Sequence, residues 1–222
     1  MKKKIFFTFI FPLFVIVAFA QKSKLPLKEW NTAADKPLVF YISGDGGYTS
    51  FSGSLCAAIT KAGYKLTSLN SKSYFDDQKK PQQTTDDIVN YLNVQFSKRK
   101  DQRFILIGYS FGADITPFVI NLFPDSIKKK LISVVLLSPS TSTDFETHVW
   151  DKLGWKKKRS MDVVAEVNKL GTVKTTIILG SDDTDFPINS IKLKNYGHEL
   201  LPGGHHYEGN TDEVARTMMK YF

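Results

Sequence analysis

Three residues in the order Ser110, Asp183 and His205 have the types and the chain order needed for nucleophilic acyl chemistry. Ser110 lies at the centre of Gly108-Tyr109-Ser110-Phe111-Gly112, a G-x-S-x-G run. A serine hydroxyl alone is a weak nucleophile. It needs a base to take its proton, a carboxylate to hold that base in one tautomer, and donors for the developing oxyanion. The flanking glycines suit a turn so sharp that side chains there would strike the neighbouring strand and helix, and such a turn lifts the hydroxyl clear of a sheet.

The base is sought among four histidines, His148, His198, His205 and His206. Only the last two lie in a glycine-rich loop, LPGGHHYEG, and His198 reads as a solvated surface residue. Two glycines immediately before it and an aromatic two residues after it favour His205, with His206 as the alternative. The carboxylate is sought in Gly180-Ser181-Asp182-Asp183-Thr184-Asp185-Phe186-Pro187, where the G-x-x-D-x-x-x-P spacing sets Asp183 on the turn. Asp182 and Asp185 stay open as the acid, or serve as turn caps, a common use of aspartate. One oxyanion donor is the N–H of Phe111, directly after the serine. The other comes from Ser43-Gly44-Asp45-Gly46-Gly47-Tyr48, at Asp45 or Gly46. That loop has neither G-x-G-x-x-G nor a Walker lysine, and its central acid repels phosphate, which argues against a nucleotide site. The chemistry so assembled calls for no metal and no cofactor.

These residues must be held by regular elements. The apolar stretch 104–107 reads as a strand before Ser110, with a helix running from there toward Leu122. Residues 38–42 (LVFYI), bounded by Pro37 and Gly44, read as a strand covered on both faces. Helices are expected over 51–62, over 81–99 with Ile88, Tyr91, Leu92 and Phe96 on one face, and over 211–221. Further strands are expected at 64–69, 131–137, 173–179 and, more weakly, 191–196. Strands alternating with helices, and apolar on both sides, imply an α/β fold whose mostly parallel sheet of about six strands carries its functional loops at the carboxyl ends. Residues 138–160 break the rhythm and read as a small cap insertion. Residues 21–36 are polar and weakly patterned, with Trp30 as a tether.

The chain opens with Lys2-Lys3-Lys4, an apolar run to Phe19, and Ala18-Phe19-Ala20. This has the form of a signal peptide cut after Ala20, so residues 21–222 are expected as a single domain in a bacterial periplasm or outside the cell. The formal charge is +8, and removing three signal lysines leaves 8 − 3 = +5. Scattered lysines, export and the absence of a nucleic-acid motif exclude nucleic acid as a partner. The single cysteine, Cys56, rules out an internal disulfide and reads as a buried apolar residue.

With these segments assembled, the chain resembles the α/β-hydrolase fold and, within it, the bacterial VirJ/AcvB virulence-protein family. The matching stretches are SGDGGY at 43–48, SYF at 73–75, GYSFGADITPF at 108–118, TDFE at 143–146, the turn at 180–187 and PGGHHYEG at 202–209. The resemblance implies a periplasmic serine hydrolase, associated with type IV secretion and with hydrolysis of lysyl-phosphatidylglycerol. It matches Ser110 to the nucleophile, His205 to the base and Asp183 to the place where relatives carry an acid. The turn around Asp183 departs from some relatives in holding several acids and no cysteine.

A lysyl ester brings ammonium groups close to its scissile carbonyl, so its site should present carboxylates. Asp45, Asp114, Asp144 and Glu146 are the candidates, with Tyr48 and Tyr109 as further substrate contacts. Asp114 lies one helical turn after Ser110, where it also complements a helix dipole. Val149, Trp150, Leu153 and Trp155, followed by Lys156-Lys157-Lys158-Arg159, read as a lid whose tryptophans cover the core while the lysines are solvated, or alternatively as a contact with an anionic membrane surface. A contrasting expectation is a periplasmic binding or adaptor component of a secretion system with secondary or no catalysis, because a fold does not fix a function.

Overall fold

A computed structural model of the chain describes residues 25–32, 35–99, 101–147 and 159–222. The expected signal peptide and the middle of the expected cap, with His148, Val149, Trp150, Leu153, Trp155 and Lys156 to Lys158, lie outside the described residues.

The frame is a seven-stranded sheet. In chain order its strands are β1 (Leu27–Trp30), β2 (Leu38–Ile42), β3 (Leu66–Leu69), β4 (Phe104–Tyr109), β5 (Leu131–Leu137), β8 (Thr175–Gly180) and β9 (Tyr196–Leu201). They lie side by side as β1-β3-β2-β4-β5-β8-β9, with every neighbouring pair parallel except the antiparallel β1 and β3. Two short strands, β6 (Ser142–Thr143) and β7 (Met161–Asp162), pair antiparallel and close the base of the 138–160 insertion.

Helices cover both faces because the central strands are apolar on both sides. Along β2, Leu38, Phe40 and Ile42 face one core and Val39 and Tyr41 the other, as the two-residue period of a strand requires. The first core is covered by α3 (Pro81–Lys98), α4 (Phe111–Leu122) and α6 (Val163–Asn168). The second is covered by α1 (Ser50–Lys61) and α7 (Thr211–Met219), and there Cys56 is fully buried, which pushes its thiol pKa up to about 12. Short helices α2 (Ser71–Tyr74) and α5 (Asp125–Lys128) complete the connections. Among the described residues no helix is long and apolar enough to cross a membrane.

Two expectations need correction. The weakly patterned N-terminal stretch contributes β1, whose Trp30 packs edge-on against Tyr48 with ring centroids 6.5 Å apart. The strand expected at 191–196 begins only at Tyr196. Ile191 and Leu193, which suggested it, are instead buried in the first core as irregular chain, while β9 is an edge strand whose exposed residues hide its pattern.

Candidate active site

All the parallel strands point their carboxyl ends the same way, and the loops leaving β2, β4 and β8, with the loop after β9, converge there. Ser110 follows β4 directly and takes φ 54° and ψ −123°, a conformation costly for a residue with a side chain. Its surroundings impose it. The Ser110 N–H donates to the Leu137 carbonyl at 2.8 Å, and its own carbonyl accepts from Ala113 N–H at 2.7 Å. A Cβ on Gly108 would lie 2.6 Å from the Ala113 Cα, and one on Gly112 would lie 2.6 Å from the Ser43 carbonyl oxygen. Both glycines are therefore required by close backbone approach. Ser110 occupies the N-cap position of α4, yet its hydroxyl makes no capping bond. It turns instead toward the histidine loop.

There the Ser110 Oγ lies 2.8 Å from His205 Nε2, and His205 Nδ1 lies 2.9 Å from Asp183 Oδ2. A carboxylate at Asp183 accepts from Nδ1–H, which leaves Nε2 to accept the serine proton. The Asp183 side chain is 12% exposed and that of His205 40%, so the carboxylate is shielded while the imidazole stays accessible. Of the three aspartates in the turn, Asp183 is the one that reaches His205; Asp182 is exposed and accepts from its neighbour Ser181 Oγ at 3.0 Å, and Asp185 is exposed. His206 pairs through Nδ1 with the Tyr109 hydroxyl.

The acid and base loops are sewn to each other. Ser181 N–H donates to the Leu201 carbonyl at 2.7 Å, Asp182 N–H to that of Gly203 at 3.0 Å, and Gly203 N–H to Ser181 Oγ at 3.2 Å. Tyr207, which sequence reasoning did not single out, anchors this unit from below. Its buried hydroxyl donates to the Ile178 carbonyl at 2.8 Å and accepts from Ser138 Oγ at 2.8 Å. The signal for it was the aromatic position already noted two residues after His205.

Phe111 is the first residue of α4, so its N–H is among those a helix start leaves without an intrahelical acceptor, at the positive end of the helix dipole. The loop after β2 reaches Ser110 at Gly44, where an added Cβ would lie 3.3 Å from the serine's own. Asp45 and Gly46 follow, both partly exposed. Burial dominates the pKa shifts of Tyr109, Asp114 and His206, upward for the first two and downward for His206, and the charge of Asp45 adds a smaller upward pull on each, which places its carboxylate within electrostatic reach of the site. Beside the serine, the partly exposed Phe111 ring stacks edge-on with the fully buried Phe75 at 5.1 Å, and Phe75 with the buried Phe145 at 6.0 Å, so the core fixes Phe111 from behind.

Several substrate-contact candidates are used elsewhere. The Tyr48 hydroxyl donates to the Ser68 carbonyl at 2.8 Å and the Pro26 carbonyl at 3.1 Å, fastening β1 to β3. Asp114 is buried and accepts from Ser140 N–H at 2.6 Å and Ser140 Oγ at 2.7 Å. Burial pushes its pKa up to about 7 against the opposing pull of those two bonds. Asp144 pairs with Arg159 at 3.3 Å, so the last cation of the expected basic run is turned toward a carboxylate. Glu146 is half-buried. Among the described residues no cluster of three or more His, Cys, Asp or Glu side chains is placed to hold a metal ion.

A mostly parallel sheet with a serine on a strained strand-to-helix turn, followed in the chain by an acid and a histidine at strand ends, is the α/β-hydrolase fold. A family model described as bacterial virulence protein (VirJ) matches residues 35–222, and the chain belongs to that family. Among solved structures, the enol-lactonase of Burkholderia xenovorans aligns with a TM-score of 0.65 at 11% identity, covering 89% of this chain and 95% of that one. A thioesterase domain of the curacin biosynthetic pathway gives 0.59 at 12% identity, covering 87% and 94%. A membrane phospholipase A described as a bacterial virulence factor gives 0.60 at 12% identity, covering 88% and 81%. At such identities the likeness is one of fold. No curated protein sequence matches the chain significantly.

Proposed function

We propose that this protein is an exported serine hydrolase that cleaves an ester through an acyl-enzyme. The observation that carries the reading is the continuous hydrogen-bond chain from Asp183 through His205 to Ser110. In the first half-reaction His205 Nε2 takes the Ser110 proton as Oγ attacks the ester carbon. The oxyanion is bound by the Phe111 N–H and by an amide of the 44–46 loop. The tetrahedral intermediate then expels the alcohol, which receives its proton from His205. In the second half-reaction His205 takes a proton from water, the resulting hydroxide attacks the acyl carbon, and Ser110 Oγ leaves with that proton.

The substrate class that fits best is an aminoacyl ester of phosphatidylglycerol. Membership of the VirJ family supports this, and so does the partly exposed Asp45 carboxylate beside the site, where an ammonium group would be favoured. The partly exposed Phe111 ring beside the serine suits the apolar part of such a molecule. Export, with cleavage after Ala20, rests on the lysine-led apolar start of the chain, and a cap at 138–160 on the break in strand and helix rhythm there.

The test is labelling by a fluorophosphonate together with loss of aminoacylated phosphatidylglycerol from a lipid extract. Wild type should show both and Ser110→Ala neither. Labelling that survives Ser110→Ala would sink the proposal. A Ser110→Ala protein that fully complements a deletion would favour the adaptor role instead.

A further inference from the structure

The residues next to the nucleophile and next to the base are bonded to each other. Tyr109 ends β4 immediately before Ser110, and His206 follows His205. The Tyr109 hydroxyl lies 2.5 Å from His206 Nδ1 and also donates to the His205 backbone carbonyl at 3.4 Å. Tyr109 is almost fully buried, and the Phe51 ring of α1 lies 4.7 Å from its ring and 6.4 Å from that of His206. These bonds join the histidine loop sideways to the nucleophile's strand, in parallel with the Ser110–His205 bond itself.

We propose that Tyr109 and His206 form a positioning pair that holds His205 over Ser110. The proposal rests on the serine hydrolase reading of the same site. A side-chain bond that does no chemistry is a reasonable way to fix a base, because a reacting geometry misplaced by about an ångström loses up to about a hundredfold in rate. The pair is built for neutral pH. Burial and the neighbouring His205 hold the His206 pKa below its ordinary value, while Asp45 and Asp183 pull it the other way. Burial raises the Tyr109 pKa, again with Asp45 and Asp183 as the facing charges. Neutral His206 therefore accepts the tyrosine proton at Nδ1. In acid, protonated His206 donates to the tyrosine oxygen instead and places a positive charge in a ring whose centroid is 5.4 Å from that of His205. That charge opposes the protonation His205 must undergo in each half-reaction, so the acid limb of the rate profile should carry two protons.

The experiment compares ester kcat, KM and fluorophosphonate labelling for wild type, Tyr109→Phe, His206→Leu, the double variant and His206→Asn, with thermal unfolding measured alongside. Tyr109→Phe and His206→Leu should each lower kcat by about tenfold with KM little changed, and the double variant should be no worse than the poorer single. His206→Asn, whose Oδ1 can accept from Tyr109, should recover most of the rate and show an acid limb of one proton. Additive losses, wild-type rates in the single variants, or a His206→Asn as slow as His206→Leu would overturn the pair. If no ester is cleaved and Ser110→Ala still labels, the hydrolase reading fails separately. The pair is then read from 15N shifts of both imidazoles: Tyr109→Phe should move those of His206 and His205, and unchanged His205 signals overturn the proposal.

Discussion

Gly180 lies against the backbone of Gly204 so closely that a Cβ at 180 would overlap the carbonyl oxygens of Gly203 and Gly204. The acid turn and the histidine loop therefore touch through bare backbone. Neither can step aside, because the bonds from Ser181, Asp182 and Gly203 tie them together. Gly180→Ala should cost about 1–3 kcal/mol, the usual range for overpacking. It should also slow labelling at temperatures well below unfolding, since the strain falls directly under Asp183 and His205. Calorimetry and labelling rates on the same preparation check both.

Asp183→Asn keeps the shape of the acid and removes its charge. The amide no longer enforces a proton on His205 Nδ1, so Nε2 is protonated in much of the population and cannot accept from Ser110. A fall in kcat of about 10²–10⁴-fold is expected, with KM nearly unchanged, on the pattern of serine hydrolase triads. Asp182→Asn and Asp185→Asn, at exposed positions of the same turn, should stay within about twofold of wild type. Steady-state kinetics on a neutral ester separates the three.

Asp45→Asn should act on substrate charge. A half-exposed ion pair gives only a modest gain, so kcat/KM for an ammonium-bearing ester should fall about two- to fivefold while a neutral ester of similar size is unaffected. Equal losses on both esters would assign Asp45 to the oxyanion loop's shape instead.

Asp114 makes stability depend on pH in an unusual direction. Its pKa is 3.8 in an ordinary setting and about 7 in the fold. Between those values the folded protein holds a proton that the unfolded chain has released, so this contribution is full below the lower value and declines as pH rises through the upper one. Asp114→Asn lacks this titration. The unfolding free energy of wild type relative to Asp114→Asn should therefore fall on going from pH 4 to pH 8, by at most about 4 kcal/mol. Denaturant titrations at several pH values measure it.

The strands buried on both faces were legible because β2, β4, β5 and β8 are short apolar runs between turn residues. β1 was not, since LKEW is a four-residue edge strand with Lys28 and Glu29 exposed and no pattern of its own. The same loss of signal at an edge displaced β9. At the site, glycine spacing marked Ser110, the G-x-x-D-x-x-x-P turn marked Asp183, and the two preceding glycines and following aromatic marked His205. The tie between Tyr109 and His206 spans 97 positions and joins two residues that look like mere neighbours of more conspicuous ones. Asp114 shows a related limit: helical spacing places it after Ser110 but does not reveal that Ser140 holds its carboxylate.

The stitching of the acid turn to the histidine loop also divides the triad mechanically. Asp183 and His205 ride on one jaw, and Ser110 on the other, at the end of β4 with β5 lying between. The bond that sets the histidine tautomer therefore lies within one jaw, whereas the bond to the serine spans the two. Beside that bond, the Tyr109–His206 contact is what latches one jaw to the other.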